Sequence, residues 1–161
     1  MNRSNHIPGP DVTVRGLRIP SLLSTLIAQG RWRHPGDDTM SRLIPWFEDP
    51  LDFLTSLERI ERESVALDRI ADHEPAQLFR EVRGTTRDTP VELPWLDVEQ
   101  AVLIAVCRFA GDDVALALDY RTDAVDPRVV GTDIWTDPQL YEWRTVAPTF
   151  SAFAAALNLA A

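Results

Sequence analysis

The hydrophobic pattern changes period part-way along the chain. In "IPSLLSTLIAQG", Leu22, Leu23, Leu26 and Ile27 recur at three- and four-residue spacing, which marks one face of a helix. Pro20 suits its first turn and Gly30 its end. After the turn "RWRHPGDD", Asp37 or Asp38 is expected to cap a short helix through Met40 and Leu43, stopped by Pro45. In "EDPLDFLTSLERIERES" the spacing predicts a helix with Asp49 as N-cap, Pro50 at its first position, and Leu51, Leu54, Leu57 and Ile60 inward. A further short helix, "PAQLFREVRG", would bury Leu78, Phe79 and Val82 and close at Gly84.

Beyond the turn-rich connector "TTRDTPVELP" the period becomes two. "AVLIAVCRF" is a continuous apolar strand, "AGDD" a turn and "VALALDY" the returning strand. On that strand Val114, Leu116, Leu118 and Tyr120 point to the core. Ala115, Ala117 and Asp119 point to a face expected to be thinly covered or open. "RVVGTDIW" and "YEWRTVA" supply two more strands around "TDPQL", and Thr149 caps a last helix burying Phe150, Phe153 and Leu157. The expected fold is α+β: a mainly antiparallel sheet, with at least a four-strand C-terminal meander, and helices packed on one face. Residues 1–16 are read as a flexible leader and residues 17–161 as one domain.

Composition narrows the function classes. No apolar stretch approaches the roughly 18 residues needed to cross a bilayer, and "MNRSNHIPGPDVTVRG" has no apolar core of a secretory signal. A cytoplasmic protein without membrane partners is expected. All 16 basic residues are arginine, which removes phosphate-loop and Schiff-base lysine chemistry. The net charge of −9 argues against nucleic acid. The charge is also uneven. Arg3, Arg15, Arg18, Arg31 and Arg33 face only Asp11 in the first segment. Asp112, Asp113, Asp119, Asp123, Asp126, Asp133, Asp137 and Glu142 face only Arg121 and Arg128 later on. Such asymmetry concerns partners, or mutual attraction of the two ends within one domain.

Those aspartates raise the question of a site. "RTDAVDPRV" lacks the glycine, the alternating oxygens and the closing glutamate of a calcium loop, and His6, His34 and His73 have no zinc spacing. No metal or cofactor is therefore expected. Adjacent Asp112 and Asp113 on a hairpin tip are solvated, which suits a turn better than acid–base work. "HPGDD" at residues 34–38 joins an imidazole to two carboxylates, but a loop leading into a helix start explains it. Cys107 lies in an apolar run and reads as a buried thiol. Trp135 and Trp143 flank a short turn in the most acidic region. They are either cross-strand packing or aromatic anchors for a basic protein surface.

Several stretches in order, "LRIPSLLSTLIAQG", "ELPWLD", "GDDVALALDYRT", "DPRVVGTD" and "YEWRTVAPTFSAFAAAL", resemble the SMI1/KNR4, or SUKH, superfamily over residues 17–158. The asparagine-glycine-glycine loop common in that superfamily is missing, and "GRWRHPGDD" stands in its region, as in a divergent bacterial branch. The resemblance implies an α+β domain without catalytic residues. Bacterial members are taken as immunity proteins that neutralise a cognate toxin, often a nuclease; some eukaryotic relatives are regulatory. The expectation is a non-catalytic module that covers a basic protein partner with Asp112, Asp113, Asp119, Asp123, Asp126, Asp133, Trp135 and Trp143. The alternatives are a regulatory adaptor or a small hydrolase or transferase; a hydrolase would need a deep pocket holding a carboxylate of raised pKa.

Overall fold

The first described residues, 11–16, already belong to the domain and are not a leader. The computed structural model describes residues 11–47, 50–69, 96–109, 114–132 and 143–159. β1 (Thr13–Val14) and β2 (Leu17–Arg18) form a tight antiparallel hairpin. Its two central residues, Arg15 at φ 54° and Gly16 at φ 77°, both take the positive φ that a type I′ turn requires. Arg15 turns that geometry to use, because its Nη1 donates to the carbonyls of Val98 at 2.8 Å and Ala101 at 2.7 Å. Tyr120 Oη donates to the Arg18 carbonyl at 2.6 Å, so the hairpin is tied to the end of a central strand.

α1 (Ser21–Ala28) buries Leu23 and Leu26, and Pro20 sits at its N-cap. It ends in a Schellman motif, with Gly30 N–H donating to Ile27 and Arg31 N–H to Leu26. The last helix, α4 (Phe150–Ala156), ends the same way: Asn158 N–H donates to Ala155 and Leu159 N–H to Ala154, with Asn158 at φ 58°. The two ends meet, since Arg31 Nη2 donates to the Leu159 carbonyl at 2.6 Å. Between them come α2 (Asp37–Leu43) and α3 (Leu57–Arg69).

The helix expected from Pro50 begins later. Leu51–Phe53 is a strand, β3, paired antiparallel with residues 105–107, and the helix starts at Leu57 behind Ser56, whose Oγ accepts the Arg59 amide at 3.1 Å. Leu51, Leu54, Leu57 and Ile60 fit a helical period, but Leu51-Asp52-Phe53 fits a strand equally well. A vacant sheet edge decided between them. Asp49 and the segment "PAQLFREVRG" lie outside the described residues.

The main sheet runs β3-β4-β5-β6-β7, antiparallel throughout, with β4 (Ala101–Cys107), β5 (Ala115–Asp119), β6 (Arg128–Thr132) and β7 (Arg144–Ala147) forming the expected meander. A bulge falls between Leu103 and Ala105, and the amide it releases donates to the buried Ser64 Oγ of α3 at 3.0 Å. One sheet face carries Phe53, Ala105, Leu116 and Gly131 in successive rungs. Trp32 packs on Phe53 and against Phe150 and Phe153 of α4. The other face is not open: Ala115, Ala117 and Asp119 are all buried. In a close-packed interior, small side chains mark where a covering layer comes near, not where it is missing.

Candidate functional site

Asp119 is the last residue of β5, and its cross-strand partner in the register is Arg128 at the start of β6. That rung brings the Arg128 guanidinium to 2.7 Å from Asp119 Oδ2, while Arg121, in the turn that follows β5, donates to both carboxylate oxygens at 2.9 Å. Asp119 is 0% exposed and the two arginine side chains only 11% and 12%. Burial pushes the Asp119 carboxyl up, but the hydrogen bonds and charge of Arg121, with the Arg128 bond, outweigh it and hold the pKa below its usual value. This carboxylate is an internal clamp and cannot meet a partner. Its expected place in a binding surface is corrected on that ground.

The loop after the clamp uses its own aspartates. Asp123 Oδ1 accepts the amides of Val125 at 2.7 Å and Asp126 at 2.9 Å. Those amides, Asp126 first, hold the exposed Asp123 carboxyl below its usual range. Asp126 Oδ1 accepts the Ser151 amide at 3.0 Å, and Thr149 Oγ1 accepts that of Ala152, so two side chains serve the first turn of α4. Asp123 thus folds its own loop and Asp126 serves the start of α4.

Trp143 is also corrected: it is 4% exposed, part of the core at the entry to β7. Asp112, Asp113, Asp133 and Trp135 lie outside the described residues. The strand ends that lead into them are nevertheless placed. Cys107 N–H donates to the Val114 carbonyl, and Thr132 pairs with Ala115, so those strand termini line one edge of the sheet, an edge formed by strand ends and not by an outer strand. Asp119, Asp123 and Asp126 belong to the opposite edge, where Asp119 pairs with Ala101 and Arg128. Because Asp119 and Trp143 are buried, the eight expected residues do not form one exposed patch.

A second feature occupies the edge that carries Cys107, Val114 and Thr132. Between α2 and β3 lies a cleft of about 200 Å³, lined by His34, Asp37, Met40, Ser41, Ile44, Phe47, Pro50 and Leu51. Leu51 is the rung partner of Cys107, which fixes the cleft at that edge. α2 has no fully buried residue, so it offers Met40 half-exposed. Beside it Trp46 is stacked under the Arg144 guanidinium at 5.0 Å. Trp46 gets that close because Gly131 has no side chain: a Cβ there would stand 3.3 Å from Trp46 Cη2 and 2.9 Å from Leu116 Cδ2.

His34, Asp37 and Ser41 together suggest a nucleophile relay, but the hydrogen bonds exclude it for this arrangement. His34 Nδ1 accepts the Gly36 amide at 3.0 Å, which assigns the proton of the neutral ring to Nε2. Nε2 faces Asp37 at 4.0 Å. With Nδ1 engaged and Nε2 a donor, no ring nitrogen is left to take a proton from Ser41. Neither Asp37 nor Asp38 is the helix cap; Gly36 holds that position and both acids lie in the first turn. The sequence offered "HPGDD" as a loop; the apolar wall it faces, Ile44, Phe47 and Leu51, comes from residues whose spacing carries no signal of a cleft.

Among the described residues no three His, Cys, Asp or Glu side chains gather as metal ligands would. Among them also, no helix is long and apolar enough to cross a membrane. No family model, curated protein or solved structure matches the chain.

Proposed function

We propose that this chain is a non-catalytic, acidic protein-binding module of the SMI1/KNR4 type, which neutralises a toxin by covering a basic surface on it. One observation carries the reading. Arg121 and Arg128 are the only basic residues between 111 and 143, and both guanidiniums are held by the internal carboxylate of Asp119. The outward charge of that segment is then set by its other acids, on a chain whose net charge is −9. A negative surface of this kind steers a positive partner and speeds encounter. The order of sequence motifs points to the same class, and a nuclease cleft, basic because it holds phosphates, is a fitting target.

The contact surface is the sheet edge reached by Val114 and Thr132, from which the chain leads into Asp112, Asp113, Asp133 and Trp135. The test is capture of the partner from the source cell, followed by co-expression and association kinetics at several salt concentrations. Charge reversal at Asp112 and Asp113 slows association and flattens its salt dependence. Unchanged kinetics at low salt would remove these residues from the surface, and turnover of a small compound by the pure protein would end the non-catalytic reading.

A further inference from the structure

We propose that the cleft between α2 and β3 is a receptor for one arginine side chain of the basic partner. The inference rests on the binding-module reading above and adds to it a specific recognition pocket. Its volume, about 200 Å³, suits one long side chain and not a folded surface element. Met40, Ile44, Phe47, Pro50 and Leu51 form an apolar wall against which a methylene stem buries its length. At the mouth, Asp37 is 94% exposed and stands 4.0 Å from His34 Nε2, beyond hydrogen-bond reach. Its carboxylate keeps its acceptors for an incoming donor. A guanidinium suits this lining better than an ammonium, because a planar cation can lie against an aromatic ring such as Phe47 or His34 while its edge offers paired donors to a carboxylate.

Position supports the same occupant. Leu51 in the cleft wall is the rung partner of Cys107, whose amide donates to the Val114 carbonyl, and β3 lies three strand spacings, about 15 Å, from β6. A partner steered to the Val114 end of the sheet by charge brings its basic side chains within reach of the cleft. The acids would set the encounter and the cleft the lifetime of the complex.

The test uses the whole chain and two blocked amino acids, Nα-acetyl-arginine methylamide and its norleucine counterpart, titrated while backbone amide resonances are followed. The arginine probe is expected to move His34, Asp37, Met40, Ile44 and Leu51 and to bind about two- to fivefold more tightly than norleucine. Asp37→Asn, at an exposed position that leaves the fold intact, removes that preference; Asp123→Asn, at the opposite sheet edge, leaves it in place. Absence of shifts at the cleft, equal binding of the two probes, or an equal loss in Asp123→Asn overturns the inference. A captured partner whose dissociation ignores Asp37→Asn also overturns it while leaving the proposed function standing. Failure to capture any partner bears on that function alone, because the probe titration decides the cleft by itself.

Discussion

Asp119 and Arg128 face each other across the β5–β6 rung with 2.7 Å between carboxylate and guanidinium, and Arg121 closes the same carboxylate from the following turn. A charge so placed has lost its water on every side, so its partners must supply what solvent no longer does. The acidic appearance of the segment conceals one carboxylate that belongs to the core.

Asp119→Ala removes the carboxylate that two nearly buried guanidiniums share. Loss of one member of a buried charge cluster costs about 3–5 kcal/mol. Urea denaturation at neutral pH is expected to show a loss of that size. A loss under about 1 kcal/mol would mean that the two arginines are as well served by water as by the carboxylate.

The pH dependence follows from the same group. The Asp119 pKa in the folded protein lies below the ordinary carboxylate value of 3.8, so the folded state binds its proton less readily than the unfolded state. Its stabilisation is complete above about 3.8 and disappears as pH falls through the lower folded value. Asp123 acts with the same sign. The wild type is therefore expected to lose stability on acidification below about pH 4, and the gap between it and Asp119→Ala to narrow. Thermal melts of both proteins between pH 7 and pH 2 would show this; a constant gap contradicts it.

Gly131→Ala tests the approach of Trp46 to the sheet. The added methyl would meet Leu116 Cδ2 at 2.9 Å and Val146 Cγ2 at 3.2 Å, inside a packed core. Overpacking of this kind costs about 1–3 kcal/mol, and alanine in place of a strand glycine returns about 0.5–1 kcal/mol. A net loss of about 0.5–2 kcal/mol is expected, with a change in tryptophan emission as the Trp46–Arg144 stack shifts. A stabilised variant would show that Trp46 and Leu116 move aside without cost.

Ser64→Ala removes the acceptor that serves the Leu103 amide at the β4 bulge. A buried donor left unsatisfied costs about 1–3 kcal/mol. Chemical denaturation should find that loss, while Ser151→Ala, at an exposed site on α4, stays within about 0.5 kcal/mol of wild type. Equal effects of the two substitutions would argue that the bulge amide is satisfied by some other group.

Much of the architecture was legible because its causes are local. A continuous apolar run places β4 and the alternation in "VALALDY" places β5; Thr149 begins the last helix, and the three-to-four spacing of Leu22, Leu23, Leu26 and Ile27 places the first. The candidate surface was far less legible. Asp119 and Asp123 look alike in sequence, each a carboxylate in an acidic stretch. One is sealed between two arginines and the other folds an exposed loop. The cleft draws its lining from residues 34–51, one short stretch of sequence, but it exists only because Leu51 leaves the expected helix and pairs with Cys107 at the sheet.

The sequence by itself determined the α+β class, the antiparallel meander, the Thr149 cap of the last helix and an acidic balance of charge, since period, turn chemistry and composition act over a few residues at a time. Only the tertiary structure decided that Leu51–Phe53 is a strand, that Asp119 is interior, and that Asp123 and Asp126 serve an exposed loop and the first turn of α4. The reason is physical: edge pairing, register and loss of solvent depend on which distant residues arrive alongside, and a side chain carries no record of its neighbours until the chain has folded.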